Sequence, residues 1–310
     1  MKKRLLATVL AVAMMGTLAA CGNGTKTDSA GNDANSSKTE QVSSEAEQSG
    51  TDDSLQRVLD AGVLSVGAEG NWEPYVYNQD GTGELDGFEV QMAAEIAKRL
   101  GVKVDEADNI VGDSFDGVIA GLDAERYDVV ICGVCPTPER KEKYNMSDPY
   151  GEQLIALVVK GDNDTIKGFD DLKGKTSANS LSSSSGNIAR SYGAELTEAS
   201  LEQGMLLIQQ GRADCTINDA ASINAYMKAN PDADVKIAAY YEPENEYEIQ
   251  SSVMCRKEDK ALCDAINKAI HEIISDGTAK KLADSEINGI KLRKSRITHS
   301  VMWDFFMEKY

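Results

Sequence analysis

The sequence has 310 residues, with 51 Asp and Glu against 32 Lys and Arg, and therefore a formal net charge of −19. Nucleic acids and anionic membrane surfaces attract cationic faces, so this charge argues against both as partners. The two histidines are His271 and His299, which argues against a multi-histidine metal site and against a histidine-based catalytic triad. We therefore expect neither a metal nor a cofactor.

The N-terminus has the pattern of a cleavable secretory signal. Three basic residues at 2–4 precede an apolar run at 5–18, which is shorter than the roughly 20 residues that a membrane-spanning helix needs. Residues 18–21 (LAAC) resemble the lipobox of bacterial lipoproteins, in which the cysteine carries a lipid. The alternative is an ordinary signal peptide with an incidental cysteine. We predict a signal peptide at 1–20 and a lipid on Cys21 that holds the protein on the extracytoplasmic face of the cell membrane, with no other membrane anchor.

The segment that follows Cys21 is rich in small and polar residues, and residues 22–51 contain no aromatic residue. Such a segment cannot bury enough apolar surface to offset the entropy of ordering it. We therefore predict that residues 21–53 are a lipidated cysteine with a disordered linker. The remaining chain, roughly 260 residues, is long enough for a large core, and we expect it to divide into two lobes.

From residue 55 onward, predicted strands alternate with predicted helices. The predicted strands are 63–66, 102–104, 127–131, 154–159, 176–178, 215–217, 235–238 and 252–255. The predicted helices are 88–100, 115–122, one from about 184, 201–210, 220–229 and 260–275. This alternation is typical of an α/β fold, and it predicts largely parallel sheets with helices on both faces.

Short motifs follow one another along residues 54–282. The most specific is 133–140 (GVCPTPER), with 147–150 (SDPY) shortly after it. The others are 67–75 (GAEGNWEPY), 85–90 (LDGFEV), 127–130 (YDVV), 171–175 (DLKGK), 211–214 (GRAD) and 218–219 (ND). Each motif alone is weak, but their order resembles that of the bacterial extracellular solute-binding proteins, family 3, which serve ABC importers of polar amino acids.

The resemblance implies a type II periplasmic-binding-protein fold, in which two α/β lobes are joined by two hinge strands and close on a ligand in the cleft between them. It places the chain crossings near 151–154 and 244–250. The implied divisions are 54–152 with 249–285 for the first lobe, 153–248 for the second lobe and 286–310 for a C-terminal extension. The implied protein is a monomeric receptor, not an enzyme, that delivers a free amino acid to the permease subunits of the importer.

Candidate residues for the ligand carboxylate are Arg140, Ser183 and Ser184. The planar guanidinium of Arg140 can hold a carboxylate with two parallel hydrogen bonds; the alternative is a surface arginine paired with Glu139 or Glu142. Ser183 and Ser184 stand at a predicted helix N-terminus, where backbone N–H groups and the helix dipole favour an anion. The alternative is a capping run of serines in a loop.

Asp219 and Gly133 are the candidates for the ligand ammonium. Asp219 follows a strand and would accept hydrogen bonds from the ammonium, although it is also placed to cap the next helix, and both roles can hold. The resemblance implies that the Gly133 carbonyl oxygen accepts another ammonium proton. It also implies that Trp72 and Phe115 enclose the ligand side chain, whereas aromatic residues at such spacings are usually core.

Cys135 departs from the family pattern, which usually has Thr or Ser at this position to donate a hydroxyl to the ligand carboxylate. A thiol is a weaker donor, so the backbone N–H would carry more of that contact. Cys132 and Cys135 also form a C-x-x-C pattern, which opens a redox or metal alternative, although no second pair accompanies it. A disulfide between Cys255 and Cys263 is a further alternative that the sequence does not decide.

Several segments resemble the cystine-binding branch of the family, including the one that contains Ser180. These segments are 69–70, 120–124, 180–183 and 211–214. Glu69 would face the ligand side chain and favour a polar or ammonium-bearing group. We therefore favour cystine or another polar amino acid as the ligand, and a basic amino acid would satisfy the same carboxylate.

Two alternatives to a transport receptor remain. A dehydratase-like enzyme on this fold would need an acid–base residue aimed at a substrate carbon, and Glu69 is the only candidate. A ligand-sensing domain would normally be fused to a signalling segment. The C-terminal residues 287–310 are basic and then apolar, which fits either a helix packed on the first lobe or a docking element.

Overall fold

We describe the protein from a computed structural model, in which the described residues are 52–78, 85–104 and 114–286. The predicted signal peptide, the predicted lipid site at Cys21, nearly all of the predicted linker and residues 287–310 of the predicted C-terminal extension lie outside the described residues.

Helices and strands alternate along the described chain. Its α-helices are α1 (Ser54–Ala61), α2 (Phe88–Leu100), α3 (Phe115–Asp123), α4 (Pro138–Lys143), α5 (Ser184–Ser191), α6 (Leu201–Gln209), α7 (Ala220–Ala229), α8 (Lys260–Ser275) and α9 (Thr278–Glu286), and short 3-10 helices occur at Phe169–Leu172 and Glu246–Glu248. Among these helices none is both long enough and apolar enough to cross a bilayer.

The strands are mostly short. They are β1 (Val63–Leu64), β2 (Val66–Gly67), β3 (Asn71–Trp72), β4 (Val76–Tyr77), β5 (Lys103–Val104), β6 (Val129–Val134), β7 (Tyr144–Met146), β8 (Gly151–Glu152), β9 (Ile155–Lys160), β10 (Thr176–Ala178), β11 (Glu195–Thr197), β12 (Cys215–Asp219), β13 (Val235–Tyr240) and β14 (Gln250–Arg256). One larger sheet has the order β2-β6-β14-β7, with β8 also paired to β14, and the other has the order β11-β10-β12-β9-β13. We call the parts built on these sheets the first and the second lobe.

The prediction of largely parallel sheets is wrong, because both larger sheets are mixed. Strand β6 is parallel to β2, and β10 is parallel to β11 and β12. However, β14 is antiparallel to β6, β7 and β8, and β9 is antiparallel to β12 and β13. Strands β9 and β14 are buried on both faces, and a continuous apolar run gives no indication of strand direction.

The chain passes between the lobes twice, through two segments that pair with each other. Gly151 lies opposite Ser251 and Glu152 lies opposite Gln250 in an antiparallel register, and Gln153 N donates to Ile249 O at 2.7 Å. The two predicted hinge strands are therefore present and adjacent. The lobe boundaries at 152/153 and 248/249 stay predictions.

Each lobe has its own buried core. The first-lobe core contains apolar residues from 58 to 150 and from 253 to 283, with Ala221 as the one buried member from the second lobe. The second lobe has a core on each face of its sheet. Because side chains alternate along a strand, Ile155 and Leu157 of β9 point into one core, and Ala156 and Val158 point into the other.

Candidate functional site

A cavity lies between the two lobes and is lined by both of them. Its volume is about 70 Å³, measured for the centres of water-sized spheres, which is several times the roughly 10–15 Å³ that one water needs. Eight of the ten predicted ligand-binding residues line it: Glu69, Trp72, Phe115, Gly133, Cys135, Ser180, Ser183 and Ser184. The cavity can therefore hold a small polar molecule at the predicted place.

Several polar lining residues were missed by the sequence reasoning. They are Asn71, Cys132, Gln153, Asn179, Ser200, Thr216 and Asn218. Asn179 follows β10 and is bonded through Nδ2 to Ile217 O at 2.7 Å, so its side chain ties β10 to β12. A usable signal was available for two of them, because Asn179 and Asn218 directly precede the predicted residues Ser180 and Asp219.

Gly133 occupies an irregular step in the strand that forms the first-lobe wall. The β6–β14 register pairs Val130 with Met254 and Val134 with Ser252. Four residues along β6 therefore span the same length as two along β14, which is a β-bulge in β6. Such bulges redirect a strand near functional sites. Gly133 has φ +57°, and an added Cβ would lie 2.3 Å from a Trp72 ring carbon. Only glycine fits this position.

Trp72 and Phe115 are mostly buried aromatic residues that also face the cavity. Trp72 stacks on Tyr75 with ring centroids 4.3 Å apart and an interplanar angle of 26°. Phe115 is the first residue of α3, whose N-terminus is capped by Ser114 Oγ, which accepts from Gly117 N at 3.2 Å. Core packing therefore explains most of their burial. Their predicted role of enclosing a ligand side chain stays a prediction.

Glu89 is a buried carboxyl next to the cavity that the sequence reasoning did not single out. It is 1% exposed, and both carboxylate oxygens accept from Gly133 N at 3.0 Å. Tyr150 Oη donates to Glu89 Oε1 at 2.5 Å. Burial is the main cause that raises the pKa of Glu89 to about 7. The signal was its position on the apolar face of α2, three residues before Met92 and seven before Ile96.

Arg140 is buried between the lobes and bonded to neutral groups. Its guanidinium donates to Cys135 O at 2.9 Å, to Ser182 O at 2.8 Å and to Ser184 Oγ at 3.4 Å. It also lies over the Phe115 ring, with Cζ 5.4 Å from the centroid. The side chain is 8% exposed, so the alternative of a surface arginine is wrong.

The position of Arg140 relative to the cavity is less direct than the sequence suggested. It is not among the residues that line the main cavity and instead lines a neighbouring outer cavity. Its partners Cys135 and Ser184 line the main cavity. The guanidinium therefore contacts residues of the cavity wall without lining the cavity itself. Its contact with a ligand carboxylate stays a prediction.

Ser183 and Ser184 begin helix α5, and the structure separates their roles. Ser183 Oγ accepts from Gly186 N at 2.9 Å and donates to Ser180 O at 2.8 Å. The capping alternative is therefore confirmed for Ser183. Ser184 Oγ instead contacts Arg140. The first N–H groups of a helix lack intrahelical partners and favour an anion. The N-terminus of α5 can therefore still bind a ligand carboxylate through its backbone, as predicted from the sequence.

Asp219 caps helix α7, as the alternative interpretation expected. Its Oδ1 accepts from Ala221 N at 2.7 Å and from Ser222 N at 3.3 Å, and the Tyr75 hydroxyl of the first lobe lies near enough to lower the pKa of its carboxyl. Asp219 is 2% exposed, and burial raises its pKa to about 6. Its neighbour Asn218 lines the cavity, whereas Asp219 does not. Ammonium binding by Asp219 stays a prediction.

Glu69 is the acidic residue that lines the cavity. Burial is the main cause that raises its pKa to about 7, and the nearby carboxyls of Asp116 and Glu198 add to the rise. Glu69 N donates to Cys132 Sγ at 3.4 Å, and that thiol is 3.8 Å from Glu69 Oε2. A cationic group in the cavity would favour the ionised form of this carboxyl.

Comparison with known proteins gives the site its context. Residues 64–287 match the model of the bacterial extracellular solute-binding proteins, family 3. The chain belongs to this family. It is 38% identical over 285 residues to the L-cystine-binding protein TcyA of Bacillus subtilis (strain 168), which covers 91% of this chain and 96% of that protein.

Solved structures of family-3-like proteins agree with the two-lobed type II fold, which is confirmed. An ancestral arginine-binding protein bound to arginine is 36% identical with a TM-score of 0.64, covering 73% of this chain and 98% of that one. An ancestral amino acid-binding protein that is a precursor of cyclohexadienyl dehydratase is 29% identical with a TM-score of 0.63, covering 75% and 98%.

The five cysteines among the described residues of this family-3 protein are buried thiols. Cys132, Cys135, Cys215, Cys255 and Cys263 are all free. Cys135 Sγ donates to Glu248 O at 3.3 Å, so the thiol already has a backbone acceptor near the second crossing. Burial raises the pKa of both Cys132 and Cys135. Within 52–78, 85–104 and 114–286, no group of three or more His, Cys, Asp or Glu is arranged to hold a metal.

Polar contacts join the two lobes of this family-3 protein across the cavity. Ser182 N donates to Asp116 Oδ1 at 3.1 Å, and the Ser182 hydroxyl donates to the same oxygen. Arg140 reaches Ser182 from the first lobe, and the Tyr75 hydroxyl lies near the Asp219 carboxyl. The lobes therefore touch on more than one side of the cavity.

Proposed function

We propose that this chain is the extracytoplasmic receptor of an ABC importer and that it binds a polar amino acid between its lobes. The observation that carries this proposal is a set of buried and partly buried ionisable groups beside one cavity, which have no partner of opposite charge among the hydrogen bonds of the described residues. Arg140 is a buried cation whose hydrogen-bond acceptors are neutral, Asp219 is a buried carboxyl, and Glu69 is a partly buried one; both carboxyls have a raised pKa. A zwitterion supplies both opposite charges.

The ligand carboxylate is assigned to Arg140 and the N-terminus of α5. A guanidinium has five N–H donors, and the three contacts to Cys135, Ser182 and Ser184 leave donors for a ligand. The start of α5, where Ser184 contacts Arg140, adds backbone N–H groups that favour an anion. The weak thiol donor of Cys135 makes these backbone groups more important than in relatives with a hydroxyl there.

The ligand ammonium is assigned to Asp219 and the Gly133 carbonyl oxygen. Asp219 retains one carboxylate oxygen beyond the two helix N–H groups that Oδ1 accepts. An ammonium beside Asp219 lowers the pKa of that carboxyl, because opposite charges favour the ionised form. Near or below pH 6, binding should therefore release the Asp219 proton and leave an ion pair with the ammonium.

Cystine is our proposed ligand. The relative TcyA, whose alignment covers 91% of this chain, is an L-cystine-binding protein. Glu69 faces the cavity with Asp116 and Glu198 close enough to raise its pKa, and cystine carries a second ammonium that this negative region would attract. Arginine has a cation in a similar place, and a structural relative binds arginine, so a basic amino acid is the competing ligand.

We further propose the setting in which the receptor works. A lipid on Cys21 would hold the protein beside its permease, and tethering raises the effective concentration of receptor at the transporter. The receptor would act as a monomer and close about the crossings at 151–154 and 244–250, with the first lobe at 54–152 and 249–285. Closure would shift with ligand only as far as the ligand prefers the closed state.

An enzyme on the same fold is the second candidate, and one observation favours it. Glu69 has a pKa of about 7 and lines the cavity, which suits a general acid or base. One structural relative is a precursor of a dehydratase. We place the receptor first because a single poised carboxyl supplies no nucleophile and no second acid–base partner.

Calorimetry and thermal unfolding with a panel of free amino acids test the proposal. The ligand should stabilise the protein by about 2.7 kcal/mol at one hundred times its dissociation constant, with L-cystine the strongest, and D-cystine serves as the matched control. If no amino acid stabilises the protein, the receptor proposal is wrong. Conversion of a bound acid, followed by NMR, would favour the enzyme instead.

A further inference from the structure

Glu89 is a buried acid that does not line the cavity but holds a residue that does. It lies on the apolar face of α2 among the residues of the first-lobe core. Its carboxylate binds the N–H of Gly133 with both oxygens at 3.0 Å. Burying a carboxyl in this place is costly unless its hydrogen bonds serve a purpose, and core packing alone would be better served by an apolar residue.

The bulge in β6 explains why Gly133 needs a partner outside the sheet. A bulge leaves backbone groups without a ladder partner, and a buried N–H must be satisfied elsewhere. Glu89 accepts from Gly133 N, and Gln153 Nε2 donates to Gly133 O at 3.1 Å. The two side chains therefore hold the peptide groups on both sides of Gly133.

The same hydrogen-bond cluster reaches both chain crossings. Tyr150 donates to Glu89 through its hydroxyl, and its backbone N–H donates to Ser251 O at 2.9 Å. Gln153 Nε2 also donates to Ser251 Oγ at 3.0 Å. Tyr150 and Gln153 flank β8 of the first crossing, and Ser251 belongs to the strand of the second. The cavity wall and the paired crossings thus share one network.

We propose that Glu89 is a positioning residue for ligand capture: it fixes the bulged Gly133 of the cavity wall and connects it, through Tyr150, to the two chain crossings. The inference rests on the proposed function, because Gly133 is assigned there to the ligand ammonium. Glu89 acts through Gly133 and does not touch the ligand. Its loss therefore weakens binding without removing any ligand contact.

The charge of Glu89 sets the strength of this hold. When Glu89 is ionised, both of its carboxylate oxygens accept from Gly133 N. When Glu89 is protonated, one oxygen carries a hydrogen and the hydrogen bonding to Gly133 N is weaker. The titratable groups around Glu89 are Tyr150, which donates to it, the carboxyls of Asp219 and Glu69, and Tyr75, Cys132 and Cys135, whose pKa values the Glu89 charge raises. Among them Asp219 and Glu69 raise the pKa of Glu89, so an ammonium that neutralises either one favours the ionised form.

The test compares Glu89→Gln with Glu95→Gln in the full chain, with L-cystine affinity measured by calorimetry from pH 5 to pH 8. Glu95 is on the same helix, where it pairs with Lys98 on the surface, so its substitution should leave affinity unchanged. At pH 8, Glu89→Gln should bind on the order of tenfold more weakly, since the amide offers Gly133 one acceptor in place of an ionised pair. At pH 5, Glu89→Gln and the natural protein should bind L-cystine with similar affinity, because Glu89 is then protonated in the natural protein.

Tyr150→Phe gives a second readout. The Tyr150 hydrogen bond lowers the pKa of Glu89, so its removal should move the pH midpoint of the affinity upward while the fold is retained. This variant also keeps the test decisive if Glu89→Gln does not fold.

Two results would overturn the inference. One is equal affinity of Glu89→Gln and the natural protein at pH 8. The other is a loss of affinity that is the same at every pH, which would mark a purely structural role. If the natural protein binds none of the amino acids in the panel, the proposed function itself fails and the inference fails with it.

Discussion

The two walls of the cavity differ in chemistry and in how their polar groups are used. The first-lobe wall has aromatic rings, two thiols and an acid, including Trp72, Cys132 and Glu69. The second-lobe wall is made mainly of hydroxyl and amide residues, including Ser180 and Asn218, with Ala178, Ala199 and Leu201 among them. One wall is therefore shaped by large side chains and the other mainly by small ones.

This difference indicates a division of labour between the lobes. On the first wall the backbone polar groups of the bulged strand are already paired within the protein, as with Gly133 between Glu89 and Gln153. The second wall presents a helix N-terminus whose donors are available. The first wall thus sets the shape and charge that a side chain meets, and the second wall holds an anion. Arg140 connects them, since it starts in the first lobe and reaches Ser182 and Ser184.

Arg140→Ala should break the link between the walls and have the largest effect. Truncating one partner of a buried charge pair costs about 2–5 kcal/mol, which is roughly 30-fold to several-thousand-fold in affinity. We expect ligand binding to fall by at least about one hundredfold in calorimetry. The far-UV circular dichroism and the cooperativity of unfolding should be retained.

Arg190→Ala is the matched control for Arg140→Ala. Arg190 lines the same outer cavity but donates to Asn187 on its own helix at 2.8 Å. Its removal changes the net charge equally and should alter affinity by no more than about twofold. Comparable losses in both variants would show that net charge, not the position of Arg140, governs binding.

Asp219→Asn should separate the two roles of this residue on the second wall. Asparagine caps helices as well as aspartate does, so α7 should persist, whereas the charge for the ammonium is lost. We expect affinity at pH 8 to fall on the order of tenfold to one hundredfold. Equal affinity in calorimetry would remove Asp219 from the binding site and leave it as a cap.

The pH profile gives the sign of the Asp219 contribution. Burial raises the pKa of Asp219 from its ordinary value of 3.8 to about 6 in the ligand-free protein. The stability that this group contributes is therefore present below about pH 4 and is lost as the pH rises through 6. An ammonium lowers the pKa again, so affinity should rise with pH up to about 6 and protons should be released. Calorimetry in two buffers of different ionisation enthalpy measures that release, which should shrink in Asp219→Asn.

Local features of the fold were predictable from the sequence, and these are mostly on the second wall. The start of α5 and the cap at Ser183 depend on residues within four positions of each other, which is the range over which capping signals act. The strand that precedes Asp219 and its helix cap have the same local origin. The hinge crossings followed from a resemblance in motif order, since no local pattern marks them.

Features that depend on distant residues were not predictable, and these are mostly on the first wall. Glu89 binds Gly133, 44 positions away, and Gln153 binds Ser251, 98 positions away. A single sequence carries no signal for such pairs. The direction of β14 was missed for the same reason, because its burial pattern is compatible with either pairing.

Ser183→Ala should have a modest effect and tests whether the second wall acts through its cap. Loss of an N-cap hydroxyl costs about 1 kcal/mol of stability, which chemical denaturation measures as a lower midpoint at an unchanged m-value. Affinity should change by only about twofold to threefold, because Ser183 Oγ is occupied by Gly186 and Ser180. Ser183→Asp should keep the cap and lose more affinity, since its charge repels the ligand carboxylate.

The smallest expected effect concerns the thiols of the first wall, Cys132 and Cys135, which should not react with cystine in the native protein. Thiol–disulfide exchange requires a thiolate, and burial raises the pKa of Cys132 and of Cys135. The native protein at pH 7 should therefore hold cystine without forming a mixed disulfide, and intact mass spectrometry should find no added half-cystine on either residue. The same thiols should react once the protein is unfolded. A half-cystine adduct in the native protein at pH 7, absent from Cys132→Ser, would show that the first wall is chemically reactive toward the ligand and does more than enclose it.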